Sequence, residues 1–294
     1  MATGFDVFDP SDIKPYGYGT IPDVITAMEF ERLLNASGPT GGHLERPSSL
    51  NIKAEIKKLE KKVKGAKGRL KSLEKKGEEP TVEMQNTLKE STETLAALKA
   101  KAPSLEDLRD IAFVQCVGSR DLRYNAHCCS FGCMHSVKEA VVATEHGLEL
   151  NSTIFFTDMR AYGKDFHEYC LRGASEYGIQ FVRGRVAEIG LSDDNKPVIW
   201  CEDMDTRKVE QLPFDLVVLA TACVPSKGME RLAQMMGFDL DDTGFVKTVP
   251  EKPVSTSVNG IFVCGCAESP MDIPSSVSLA SAAASMAAQT ITGT

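Results

Sequence analysis

Ile111-Ala-Phe-Val-Gln-Cys-Val117 is a short, almost wholly apolar run, and Gly118-Ser-Arg120 breaks it. A run of that length bounded by a turn reads as a strand buried on both faces. Downstream the pattern repeats. His135 to His146 reads as a helix, Thr153 to Thr157 as a strand, Asp165 to Tyr177 as a helix and Ile179 to Val182 as a third strand. Strands alternating with helices predict the α/β class, with a parallel sheet of βαβ units. Val186 to Leu212 suggests a small antiparallel meander. Leu216 to Ala220 is another buried strand, running into Thr221-Ala-Cys-Val-Pro225. Ile261 to Val263 reads as a further strand before Gly265. Val277 to Thr290 reads as a closing helix rich in alanine and serine, whose small residues suit close packing on a sheet or a ligand.

Upstream, Met1-Ala-Thr-Gly-Phe5 reads as the end of a buried strand entering a glycine turn. Asp23 to Leu34 reads as a short helix with Ile25, Met28 and Leu33 on one side, and Asn35 to Gly42 as a turn-rich loop. From Ile52 to about Ala100 the composition changes. Ile52, Ile56, Leu59, Val63, Ala66, Leu70 and Leu73 alternate steps of four and three, a heptad stripe among lysines and glutamates. Lys76-Gly-Glu-Glu-Pro80 breaks the helix. A second helix follows with Met84, Leu88, Leu95 and Leu98 as a weaker stripe. An antiparallel helical hairpin is expected, serving either as a docking arm for a partner or as a solvated insertion packed on itself.

The chain has 294 residues, 42% hydrophobic and 25% charged, with a formal net charge of -8. That permits two domains and a packed core, and argues against a general nucleic-acid surface. No apolar run approaches a membrane span, and no basic and apolar leader opens the sequence. A cytoplasmic protein is expected. Nine cysteines in such a chain suggest metal ligation, redox chemistry or plain burial. Cys170, Cys201, Cys223, Cys264 and Cys266 are dispersed and read as small buried hydrophobes.

The other four cysteines fall in one window. Cys116 ends a strand, and Cys128, Cys129 and Cys133 lie where the next helix begins; a strand end and a helix start converge at the top of a βαβ unit, where Cys116 could meet the other three. Soft thiolates suit zinc or an iron–sulfur cluster and exclude magnesium and calcium. The spacing matches neither paired C-x-x-C zinc ribbons nor the usual ferredoxin run. Metal ligation and redox-active or buried thiols both remain open on spacing alone. Arg120 and Arg123 would offset thiolate charge, or else lie on the surface.

Several motifs resemble the A subunit of heterodisulfide reductase. They are Phe113-Val-Gln-Cys-Val-Gly-Ser-Arg-Asp121, Cys128 through Cys133-Met-His-Ser-Val-Lys138, and Asp158-Met-Arg-Ala-Tyr-Gly-Lys164 with Phe166. Tyr16-Gly-Tyr-Gly19, Gly38-Pro-Thr-Gly-Gly-His43 and Asp272-Ile-Pro274 join them, so the resemblance covers nearly everything but the hairpin. It implies a thioredoxin-reductase-like architecture, in which one domain binds FAD. A nicotinamide-domain-like module carries a [4Fe-4S] cluster beside the flavin, which in that family can bifurcate electrons. The implied divisions are 1–50, the end of the first half of the FAD domain with a linker; 51–107, the inserted hairpin; 108–225, the nicotinamide-domain-like module; and 226–294, the rest of a partial FAD domain.

The resemblance also implies site residues. Cys116, Cys128 and Cys133 match cluster ligands. The family commonly ends this motif with two adjacent cysteines, whereas Gly132 precedes Cys133 here and the doubled pair is Cys128-Cys129, which makes Cys129 a displaced fourth ligand. Lys138 matches a lysine at the flavin ring, in a catalytic and cofactor-binding role; otherwise it is a solvent-facing lysine. Thr3 and Gly4 of the first turn, and Gly265, Cys266, Asp272, Ile273, Pro274 and Ser275, match positions near the flavin, with Cys266 where many flavoproteins have aspartate. No G-x-G-x-x-G follows a strand. The pyrophosphate half of the FAD site is therefore expected from a partner chain, or from sequence lost by truncation, and NAD binding is not expected. Other iron–sulfur subunits of a reductase complex are the remaining expected partners. Two other readings stand beside this oxidoreductase subunit: a non-catalytic assembly subunit with structural zinc, and a thiol–disulfide oxidoreductase using Cys129 and Cys133.

Overall fold

The computed structural model describes residues 1–76, 79–102, 108–146 and 149–293. Its centre is a parallel five-stranded sheet. Val24–Thr26 (β2) is one edge, after the short strand Phe5–Val7 (β1). Ala27–Leu34 (α1) follows, then Pro47–Lys76 (α2) and Val82–Lys101 (α3). Asp110–Val117 (β3), Gly132–Glu145 (α4), Asn151–Phe156 (β4), Phe166–Tyr177 (α5) and Gln180–Arg183 (β5) form the βαβ run. Val186–Leu191 (β6), Pro197–Asp203 (β7) and Lys208–Pro213 (β8) make an antiparallel meander. Leu216–Thr221 (β9) then inserts between β2 and β3, giving the order β2-β9-β3-β4-β5. Cys223–Pro225 (β10) pairs antiparallel with β1, and Met229–Met236 (α6) and Ile273–Thr292 (α7) complete the chain.

Alternation along the strands divides the core. Ile111, Phe113, Leu216 and Val218 point to one face, where Phe30, Leu33, Val137, Ala140 and Val141 of α1 and α4 cover them. Ala112, Val114, Val217 and Leu219 point to the other, against Ile189, Ile199 and Phe214 of the meander region and Tyr16. Both faces are buried, which is why these strands read as continuous apolar runs. A smaller core of Met229, Ala233, Phe238, Val246, Val263 and Ala267 supports the C-terminal part.

The hairpin follows its heptads. The seven stripe residues of α2 are shielded while the residues between them are exposed, and Val63 is the most buried of them. On α3, Ser91 fills the gap in the stripe between Leu88 and Leu95. Lys99 pairs with Glu60 across the two helices at 2.6 Å. Of the break, Gly77 and Glu78 lie outside the described residues.

Four segments differ from the sequence reading. Asp23 to Leu34 is not one helix: Val24–Thr26 pairs with β9, and the helix starts only at Ala27. The cause is a capping box, in which Thr26 accepts from the Glu29 amide while Glu29 accepts from the Thr26 amide. That shifts the buried face to Phe30, Leu33 and Leu34 and leaves Met28 exposed. Ile261 to Val263 forms no strand; it is held by one bridge between Phe262 and Ser255 and by the Met1 carbonyl, which accepts from the Cys264 amide at 3.0 Å. Met1 itself is in no strand, and β1 begins where the turn was expected to end. The last helix begins at Ile273, capped by Asp272, and only Ala283 of it is buried, so it does not pack on the sheet.

At the amino ends of the strands, Arg46 is 2% exposed and donates to Asp23 at 2.6 Å, with Asp215 at 3.8 Å. Removing one member of a buried ion pair leaves an uncompensated charge, costing about 3–5 kcal/mol. Arg46→Met is expected to lower unfolding stability by about that much, read from urea denaturation; a change within error would mean the pair contributes no net stability.

Candidate functional site

The site starts from a fault in the β3–β9 ladder. Register shifts between Val114 and Val117, and Cys116 adopts a left-handed backbone (φ 59°). Gly118 follows with φ 73°, and a Cβ there would lie 2.3 Å from the Phe8 ring, so only glycine fits. The chain then folds back on itself. Arg120 N–H donates to His127 O at 3.0 Å and Asn125 N–H to Gly118 O at 3.2 Å, which returns the chain to Cys128 beside Cys116. Ser130, at φ 62°, turns it into α4, whose first residue is Gly132. No side chain caps α4, and the amide of its first residue, Gly132, donates to the Cys129 thiol at the positive end of the helix.

The four thiols differ sharply. The hydrogen bond from Cys129, then the Ser130 amide at 3.4 Å and Arg160 and Arg120, pull the Cys128 thiol down to about 5. Cys129 is pushed strongly up, first by serving as that donor and then by burial. Burial pushes Cys133 up to about 11, with the charges of Cys116 and Cys128 adding to it. Burial also raises Cys116, opposed by Arg120. Arg120 hydrogen-bonds the Cys116 thiol and pairs with Asp158 at 2.6 Å. Arg123 instead pairs with Asp121 at the surface.

The donor set fits a metal centre of soft ligands. A Cβ on Gly132 would stand 2.8 Å from Cys129 Sγ. The thiol of Cys129 thus occupies the space a side chain at position 132 would claim.

Beside the thiols lies a cavity of about 980 Å³, with Phe131 in its wall. Gly4, Lys138, Gly265, Cys266, Asp272, Ile273 and Pro274 line it, while Thr3 and Ser275 do not. The Ser275 amide is already taken by the Asp272 side chain at 2.8 Å, and Pro274 has no N–H. Lys138 is half exposed and pairs with Glu31 across the cavity wall at 3.1 Å. The cavity walls are mostly apolar, with a few polar groups at Lys138, Glu31 and Asp272, which suits a planar ring with polar edges.

The dispersed cysteines are not all plain hydrophobes. Cys170, Cys201 and Cys223 are buried, but Cys264 and Cys266 are only partly so and line the cavity. Cys223 donates to Cys266, which lowers the Cys266 thiol to about 6. Sequence reasoning also missed Glu31, His135 and Glu139. Glu139 is fully buried, and burial holds its carboxyl well above the usual range.

The chain is therefore an α/β protein with a cysteine centre at the carboxyl end of a parallel strand, adjoining a large cavity. It is 38% identical to a protein of Archaeoglobus profundus that is like the A subunit of heterodisulfide reductase, over 98% of this chain and 36% of that one. It is 35% identical to the second iron-sulfur A subunit of the CoB--CoM heterodisulfide reductase of Methanopyrus kandleri, with the same coverages. It is 33% identical to the A subunit of the H(2):CoB-CoM heterodisulfide,ferredoxin reductase of Methanothermobacter thermautotrophicus, again over 98% and 36%. The chain belongs to the family of heterodisulfide reductase A subunits, and spans about a third of the length of these curated relatives. No family model matches it. Thioredoxin reductases of T. acidophilum (TM-score 0.41, 18% identity, 61% of this chain, 51% of that one) and Lactococcus lactis (0.44, 19%, 64% and 55%) are distant structural neighbours. At those scores the family assignment rests on the sequence relatives. Among the described residues, no helix is long and apolar enough to cross a membrane.

The thiol shifts have a direct readout in metal-free protein. A pKa near 5 leaves Cys128 as thiolate at neutral pH, whereas Cys133, near 11, stays protonated. Iodoacetamide labelling against pH is expected to show Cys128 on its plateau by neutral pH and Cys133 still rising. Cys129→Ala, which removes the main donor, is expected to move the Cys128 profile to higher pH. Superimposable profiles for the two sites would contradict the arrangement.

Proposed function

We propose that this chain is the electron-transfer module of a heterodisulfide-reductase-like oxidoreductase, carrying a [4Fe-4S] cluster on Cys116, Cys128, Cys129 and Cys133 next to an FAD. The observation that carries the reading is the meeting of four thiols at a strand bulge and an uncapped helix start, against the wall of a large cavity. Spacing favours a cluster over zinc. A zinc–sulfur length of ~2.3 Å sets tetrahedral sulfurs roughly 3.8 Å apart. Among the described residues, no three of the thiols lie within 4.8 Å of one another.

When bound, the cluster and the flavin supply one- and two-electron carriers, which is the chemistry a bifurcating or simple electron relay needs. The chain's own residues do the rest. The α4 amides and Arg120 offset thiolate charge, which favours the reduced, more negative state. Lys138 places a cation at the cavity wall, where it would favour an anionic ring, with Glu31 fixing its position. Gly4, Gly265, Cys266, Asp272, Ile273 and Pro274 frame the ring end. Thr3 and Ser275 flank it. The pyrophosphate half of the flavin site is supplied by a G-x-G-x-x-G segment outside this sequence, on a partner chain or on a longer form of the same polypeptide, and further iron–sulfur subunits take or supply the electrons.

Cys116→Ser and Cys133→Ser are each expected to lose most of the iron and the broad visible absorption that bleaches on reduction. Gly132→Ala, whose Cβ displaces the Cys129 thiol, is expected to lose iron while staying folded by circular dichroism. Full iron in these variants, or a colourless wild type holding one zinc, would overturn the assignment in favour of a structural site. A redox-titratable dithiol without metal would point to thiol–disulfide exchange. Flavin released per polypeptide is expected to rise when a chain carrying G-x-G-x-x-G is co-expressed.

A further inference from the structure

From the convergence of Glu31, His135 and Glu139, we infer that these residues bind one divalent first-row transition-metal ion, at a site separate from the thiol centre. His135 and Glu139 are four apart on α4 and share a face. Glu31 meets them from α1. The same nitrogen, His135 Nε2, lies 3.1 Å from Glu31 Oε2 and 3.5 Å from Glu139 Oε1. All three ligand atoms fall within 4.8 Å of one another. Ligand bonds of roughly 2.0–2.2 Å place neighbouring donors about 3.0–3.5 Å apart around one ion, and the two spacings from His135 Nε2 match that span.

Glu139 carries the argument. It is fully buried, and neither of its carboxylate oxygens has a hydrogen-bond partner among the described residues. Its neighbours on α4, Val137, Ala140 and Val141, are all core residues, so packing would be served better by an apolar side chain there. An orphaned buried carboxylate is costly, and a cation beside it supplies the missing partner. Burial is graded outward, from Glu139 in the core through His135 to Glu31 at the cavity, which gives an ion a way in. Lys138 holds the other oxygen of Glu31, Oε1, at 3.1 Å, leaving Oε2 turned toward the site. One imidazole and two carboxylates suit Mn²⁺, Fe²⁺ or Zn²⁺, whereas the thiol centre selects softer chemistry.

Mn²⁺ is the probe, because it prefers oxygen and nitrogen over thiolate and its free ion is counted by electron paramagnetic resonance. Titrating the chain, purified with its cysteine centre intact, is expected to show one saturable Mn²⁺. Loss even of a group supporting a ligand costs roughly 10–100-fold in affinity, so Glu139→Gln and Glu31→Gln should each lose at least that. Glu31 sits at the rim, so its variant tests the site without endangering the core. Mn²⁺ should raise the Tm of the wild type and leave that of Glu139→Gln unmoved. Cys116→Ser should keep its Mn²⁺, which separates this site from the cluster. No saturable binding by folded wild type, or binding by both glutamine variants as tight as that of wild type, would overturn the inference and leave a proton shared between His135 and the glutamates.

Discussion

Between Val114 and Val117, β3 takes three steps where its partner β9 takes two, from Leu219 to Thr221. The extra residue has to leave the ladder, and the left-handed backbone at Cys116 is how it does so. The bulge also resets the alternation. In an unbroken strand Val117 would face the helices. Instead it packs with Ala112 and Val114 on the meander face. Cys116 is freed from both faces, and its thiol meets Arg120 and Cys128 at the carboxyl end of the sheet. A left-handed non-glycine residue costs of order 1–3 kcal/mol and persists only where its surroundings hold it. Here the fit of Gly118 against Phe8 and the return of the 118–127 loop do so.

The opposite edge of the sheet carries the compensating rigidity. Asp23 precedes β2, Asp215 precedes β9, and Arg46 precedes α2; all three meet at the amino ends of the strands. Asp215 also accepts from the amides of Arg109 and Asp110 at 3.0 Å each, where β3 starts. Buried charge therefore fixes register at the amino edge and ties the hairpin's root to it. The carboxyl edge is left to glycines, left-handed residues and thiols, the division expected of parallel α/β sheets.

Elements whose burial follows from their own local pattern were legible. The heptad stripe of Ile52 to Leu73 names the shielded residues of α2, and the run from Ile111 to Val117 names the central strand, because each is apolar at the period its element requires. Ile25 and Met28 misled, since a two-turn window mixes an edge strand with a helix, and only the Thr26 to Glu29 capping box separates them. Of the nine positions that the motif resemblance set near a flavin, seven line the cavity, while most of its other lining residues went unread, because resemblance carries residue types over but not geometry. Ser275 shows the limit: its helix-start amide is consumed by the Asp272 cap. Glu139 was illegible for a different reason. A glutamate between a lysine and an alanine in an α-helix looks solvated until the tertiary fold places α1 over it.

Gly132 and Cys129 depend on each other at the first turn of α4. The family motif sets two cysteines side by side, and this chain has glycine at the first of those positions. Losing that Cβ opens the space into which the Cys129 sulfur now projects, 2.8 Å from where the missing carbon would be. Position 132 could not hold a side chain with Cys129 in that place, nor would Cys129 fit there beside a larger residue. Glycine at 132 and the placing of Cys129 are thus coupled by sterics at the first turn of α4. The Cys129 sulfur lies in the turn before the helix, next to the left-handed Ser130, and there accepts from the Gly132 amide.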